Sequence, residues 1–152
     1  SNAGRGLKAA EGAPVCLTVS LLDGLILART GLNHSANFRS VMIFGQPHKI
    51  TDPGRKADLL NGMIDAFYPG RSTILRPMAE SDITQTSVLS LPIEEASAKI
   101  REGGPLDEDE DYALPIWAGT VPVQMQMMPP IPDPRNLDGV EMPDHVTAIK
   151  FG

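Results

Sequence analysis

The sequence is short of several things, and each shortage narrows the reading. It has one cysteine, Cys16, so no intrachain disulfide can form, which fits a reducing cytoplasm. Aromatic residues make up 5% of the chain, so a core has to rest on Val, Leu, Ile and Met. Lys and Arg number 13 against 19 Asp and Glu, a net charge of −6, which speaks against a broad nucleic-acid surface. No apolar run approaches the ~18 residues of a membrane span, and no signal peptide is visible. Nucleophile elbows, Walker loops and dinucleotide fingerprints are absent. His34, His48 and His145 stand too far apart for metal-ligand spacing. The acidic run at residues 107–111 lacks the ligand order and closing Glu of a calcium loop, and reads as a solvated loop.

What is present is a 41% hydrophobic chain of one-domain length. Residues 1–3 (Ser-Asn-Ala) read as a remnant of tag cleavage, residues 4–128 as one domain, and residues 129–152 as a Pro-rich tail without periodicity. A short helix is expected over residues 4–12, closed by Gly12. Residues 15–21 and 25–29 alternate around Asp23-Gly24, a strong two-residue turn signal, and predict a hairpin. A third strand is expected from Phe38 to Phe44, with a continuation to Ile50. The clearest helix follows, with Asp52 as N-cap, Pro53 at the first position and Leu60, Met63, Ile64 and Phe67 along one face. Residues 71–86 read as irregular, with one helical turn after Ser81. A fourth strand is expected at residues 87–93, a short helix or turn at residues 94–104, and a fifth strand at residues 116–127. Pro122 in that last strand demands an edge or a bulge. The pattern is mainly β with some α, and its short spacings favour an antiparallel barrel.

Two donor-rich clusters stand out. In residues 33–45, "NHSANFRSVMIFG", four polar groups (His34, Ser35, Asn37, Arg39) run straight into a strand that is apolar on both faces. Buried unpaired charge is costly, so these groups satisfy either one another or a ligand. In "EEASAKIR", Ser97, Lys99 and Arg101 are spaced by two and point one way if the segment is extended. Together they suit an anion such as a phosphate, with local pairing to Glu94, Glu95 and Glu102 as the rival account. Trp117, the only tryptophan, reads as core or as a platform for a planar ring.

The segments "PVCLTVSLLDGLILAR", "FRSVMIFGQPHKI" and "LPIEEASAKIREGGPLDEDEDYALPIWAGTVPV" resemble the pyridoxamine 5′-phosphate oxidase-like superfamily, in its flavin-nucleotide-binding branch related to nitroimidazole reductases. The resemblance implies an FMN-binding split β-barrel, here N-terminally shortened, because members carry strands ahead of the helix at residues 4–12. It implies a homodimer with flavin sites at the subunit interface. It places Asn37, Arg39, Ser40, Ser97, Lys99, Arg101 and Trp117 at the cofactor, and leaves His34 as the candidate acid or base. The expected function is flavin-dependent electron or hydride transfer to a small molecule. The alternatives are a non-catalytic dimeric module that has lost flavin binding, and a pyridoxal-phosphate- or haem-handling relative.

Overall fold

The computed structural model describes residues 4–148, so the expectation for residues 1–3 and the end of the tail lie outside the described residues. In chain order the regular elements are α1 (Arg5–Ala10), β1 (Val15–Leu27), β2 (Ser35–Gly45), β3 (His48–Lys49), α2 (Pro53–Phe67), α3 (Glu80–Thr84), β4 (Leu89–Ser90), β5 (Glu95–Arg101) and β6 (Gly119–Pro122), with short 3-10 turns between them. The chain divides into two compact units, one of Gly12–Pro47 with Leu91–Met125, the other of Ser1–Glu11, His48–Ser90 and Gln126–Gly152.

The first unit is an antiparallel sheet in the order β5-β2-β1-β6. β1 does not fold back at Asp23-Gly24 as the alternation suggested. It runs through as one strand, pairing Leu22 with Phe38 and Gly24 with Asn37, so that Asp23 is the extra residue of a bulge. Neither residue has the positive φ that a type I′ turn needs. The alternation was real, but the long partner strand β2 sits across both halves and keeps them in one line. β5 is likewise a strand and not a helix or turn. Its Ala, Glu, Lys and Arg favour a helix in isolation, and pairing with β2 from Phe38 to Phe44 overrides that preference.

β6 is shorter than expected, four residues on the sheet edge, and Pro122 pairs opposite Gly24 at the bulge, where its missing N–H does no harm. The extension of the third strand to Ile50 is a separate strand, β3, and the fourth strand shrinks to the two residues of β4. The end of β2 requires Gly45, since a Cβ there would lie 2.2 Å from the Pro92 carbonyl oxygen just ahead of β5.

The core of this unit is small. Ile26 and Ala28 are fully buried, whereas Leu17, Val19, Val41, Met42 and Phe44 remain well exposed. Strand residues expected inside a barrel are therefore not covered within this chain, and among the described residues the sheet stays open. Cys16 is exposed, with its Sγ 3.6 Å from Thr18 Oγ1.

In the second unit α2 begins where its local signals put it. Asp52 accepts a hydrogen bond from Arg55 N at 2.7 Å, and Pro53 occupies the first turn. Leu60 and Ile64 are half-buried on its apolar face, but Met63 and Phe67 are exposed. Lys56 is buried instead and donates its ammonium to the Ile83 carbonyl just after α3 begins its last turn. β3 pairs with β4, and α1 ends near Gly12, which takes φ 73°. Ser72 donates from its amide and hydroxyl to Asp65, which holds that carboxyl below its ordinary range. No helix of the described residues is long and apolar enough to cross a membrane.

Candidate functional site

The sheet's register builds the candidate site. Residues directly opposite one another in an antiparallel pair share a face. Ser20 stands opposite Ser40, and Ser40 opposite Lys99, so three polar side chains line up across β1, β2 and β5. The next row on this face is Thr18, Met42 and Ser97, and the row on the other side is Leu22, Phe38 and Arg101. The two serine hydroxyls are 2.8 Å apart, so one donates to the other and a single O–H is left to point elsewhere. The Lys99 ammonium lies 5.9 Å from the centre of the Phe38 ring. Among the described residues neither the Lys99 nor the Ser97 side chain makes a hydrogen bond. The face thus offers one ammonium and several hydroxyls, a set that suits an anion or an acceptor-rich ring edge.

The remaining sequence candidates are engaged within the fold. Arg39 projects from the opposite face, in the row with Leu21 and Ile100. It grips Asp23 in two-pronged fashion, Nη2 to Oδ1 at 2.8 Å and Nε to Oδ2 at 3.0 Å, with both side chains partly exposed. The Arg39 guanidinium holds the Asp23 carboxyl below its ordinary value. The bulge is what lifts Asp23 into reach. Asn37 spends both ends of its amide locally, accepting from Arg101 Nη1 at 3.2 Å and donating to the Gly103 carbonyl at 2.9 Å. His34 is exposed and its Nδ1–H donates to the Thr30 carbonyl at 2.8 Å. The register therefore brings Ser40, Ser97, Lys99 and Arg101 onto one face, turns Arg39 away from it, and gives Asn37 a bracing role between β2 and the loop after β5.

Trp117 is not a core residue. It is 68% exposed, and its ring lies against Gly119, where an added Cβ would sit 2.9 Å from Cζ2 and Cη2. The acidic run is not wholly solvated either. The Asp107 side chain is fully buried and accepts from Arg29 Nη1 at 3.0 Å, from Arg29 N at 3.1 Å and from Asn33 Nδ2 at 3.3 Å. Burial alone would push this carboxyl up; the hydrogen bonds from Arg29 and Asn33 outweigh it and hold it below the ordinary range. The Arg29 guanidinium also stacks over Tyr112 at 4.7 Å.

Sequence reasoning missed Ser20, Asp23, Arg29 and Asp107. Ser20 and Thr18 lie on the polar side of an alternating strand, but their partners become visible only once the register is known. In the second unit a cavity of about 250 Å³ is lined by Leu7, Lys8, Glu11, Lys49, Ser87 and Leu89, none of them a sequence candidate, with Lys49 Nζ 3.9 Å from Glu11 Oε2. Among the described residues no three His, Cys, Asp or Glu side chains lie where they could hold a metal ion.

An open antiparallel sheet with one donor-rich face and few helices defines a protein of the split-barrel class. Comparison with known proteins agrees. The profile of the pyridoxamine 5′-phosphate oxidase family matches residues 1–100, and the chain belongs to that family. Its fold matches the flavocytochrome Anf3 from Azotobacter vinelandii with TM-score 0.93 and 49% identity, over 99% of this chain and 70% of that one. It matches the FAD and haem binding protein from Mycobacterium smegmatis with TM-score 0.88 and 34% identity, over 97% of this chain and 73% of that one. The match over 99% of the chain takes in the Pro-rich tail. A curated relative, Rab11 family-interacting protein 4 of Xenopus tropicalis, is 32% identical over 92 residues, 60% of this chain. The chain spans 14% of that relative's length.

Proposed function

We propose that this chain binds a flavin nucleotide, FMN or FAD, and takes part in electron or hydride transfer to a small molecule. The observation that carries the reading is the row Ser20, Ser40 and Lys99 with Ser97 beside it, donors gathered on one sheet face with the only carboxylate of β5, Glu95, at the far end. Flavins present phosphates and an acceptor-rich pyrimidine edge, and such groups need donors rather than carboxylates. The relatives named as a flavocytochrome and as an FAD and haem binding protein support it. A bound flavin would supply the redox chemistry. Lys99 would neutralise negative charge, the Ser20–Ser40 pair and Ser97 would donate hydrogen bonds, and Trp117 would offer a flat surface to the ring.

We further propose a homodimer. Leu17, Val19, Val41, Met42 and Phe44 leave apolar surface open on both faces of the sheet, and the β1 edge at residues 15–22 has no strand partner among the described residues. Such surface calls for cover, and a second copy burying more than about 1,000 Å² would give it. Titrating FMN and FAD while following the melting temperature tests the flavin reading, because a ligand that binds only the folded chain must raise it. No rise with either nucleotide would leave a dimeric module without flavin as the function.

A haem-handling reading rests on a separate observation. His145 Nε2, in the other unit, is buried without a hydrogen-bond partner, and an imidazole nitrogen of that kind suits iron. Haem titration followed by the Soret band, with His145→Ala as control, decides it. An unchanged band in the variant removes His145 from the account.

A further inference from the structure

The loop between β5 and β6, residues 102–118, carries no strand, yet it is tied down at successive points. The Gly103 carbonyl accepts from Asn37 Nδ2 at 2.9 Å and from Thr120 Oγ1 at 3.4 Å. Asp107 is buried under Arg29 and Asn33, and the Tyr112 ring lies on the same guanidinium. The ladder between β1 and β6 pairs Leu27 with Gly119. The ladder ends at that pair, so Arg29 lies two residues past the end of β1 and Trp117 two residues before the start of β6. The loop's buried anchor and its exposed indole therefore flank the same end of the ladder, and the indole rests on Gly119, the residue type that leaves room for it. An exposed aromatic side chain on a free loop would have to be ordered each time it met a ligand, and that ordering opposes binding. Here an ion pair withdrawn from water does the ordering in advance.

We propose that Arg29 and Asp107 form a clip that positions Trp117, and that Gly119 is the seat on which the indole is held ready for a planar ring. The proposal rests on the flavin reading above and deepens it: Arg29 and Asp107 are positioning residues for the ring-facing side chain, acting through the loop and touching no ligand themselves. Asp107→Asn keeps the shape of the side chain but removes the charge that Arg29 answers. Gly119→Ala leaves the clip whole and pushes the indole from its seat.

Trp117 is the only tryptophan, so its fluorescence reports the loop directly. Anisotropy and acrylamide quenching of the ligand-free protein are measured for the parent, Asp107→Asn and Gly119→Ala, with circular dichroism and melting as controls of folding. FMN affinity is then measured for these variants, for Trp117→Ala and for the double variant Asp107→Asn/Trp117→Ala, by quenching of the flavin's own emission. Asp107→Asn is expected to lower the anisotropy at unchanged circular dichroism and to weaken FMN roughly three- to tenfold, the scale of one aromatic contact. Trp117→Ala should weaken it as much, and the double variant no more than Trp117→Ala alone. A folded Asp107→Asn protein with parental anisotropy overturns the clip. Losses that multiply in the double variant overturn its action through Trp117. Should Asp107→Asn fail to fold, Tyr112→Leu removes the guanidinium's second partner and is held to the same two readouts. If the parent binds no flavin, the ligand half of the proposal falls with the flavin reading, and the anisotropy of the ligand-free variants still decides whether the clip holds the indole.

Discussion

The two halves of β1 live in different surroundings, although one strand and one partner, β2, run along both. Beyond the bulge, Gly24, Ile26 and Ala28 are buried, β6 closes the edge, and Arg29 binds Asp107 out of water. Before it, Leu17 and Val19 are exposed, the edge is unpaired among the described residues, and the polar row through Ser20 faces outward. The difference teaches that alternation of apolar and polar residues specifies a strand, and the neighbours decide which of its faces becomes core. One half holds the unit together. The other half is surface kept for something else, which we propose to be a flavin on the polar face and a second copy on the apolar surface.

The most damaging test falls in the covered half. Ile26→Ala should cost about 2–5 kcal/mol of unfolding free energy in denaturant melts, whereas Val19→Ala in the ligand-free monomer should cost well under that. Equal losses at the two positions would erase the contrast. Arg29→Ala leaves the buried Asp107 carboxylate without its cation and should lower the melting temperature by roughly 5–10 °C. The acid dependence has a definite sign. Asp107 is depressed in the folded state, so its contribution is complete above the ordinary carboxylate pKa of about 3.9 and is lost as pH falls through the lowered value. Asp107→Asn should therefore flatten the acid limb of the stability curve.

In the open half, Lys99→Gln should weaken FMN or FAD roughly ten- to hundredfold, the scale of a hydrogen bond to a charged group, with little change in the ligand-free melt. Val19→Asp should leave the monomer folded and shift a concentration-dependent dimer, followed by light scattering, toward the monomer, since a charge set in an apolar interface must be desolvated. The smallest effect is expected for Arg39→Ala. Its pair with Asp23 is partly exposed and lies on the face away from Lys99, so the melting temperature should move by no more than about 2 °C and flavin affinity by less than about twofold. A large loss of affinity there would bring the Arg39 face into the site and break the division drawn between the two sides of the sheet.

Much of this was legible in the sequence. Helix α2 could be read from Asp52 and Pro53, because a cap and a first-turn proline act within a few residues of one another. β2 could be read from its β-branched and aromatic run, the edge position of Pro122 from its missing donor, and the family from the ordered segments around Arg39, Lys99 and Trp117. The spacing by two of Ser97, Lys99 and Arg101 put them on one face as soon as the segment proved extended.

What only the tertiary structure decided lies at long sequence separation. Asp23-Gly24 carries the local chemistry of a turn, and whether it bends the chain or bulges depends on a partner strand that continues past it. The same partner turned the helix-favouring residues of β5 into a strand. The register set Ser20 beside Ser40 and Lys99, and it set Arg39 on the opposite face, paired with Asp23. Asp107 looked like one charge in a solvated acidic run until the fold brought Arg29 and Asn33 over it from 78 and 74 residues away. Local signals fix what each segment prefers by itself; pairing and desolvation across the chain choose among those preferences, because their free energies exist only once distant residues meet.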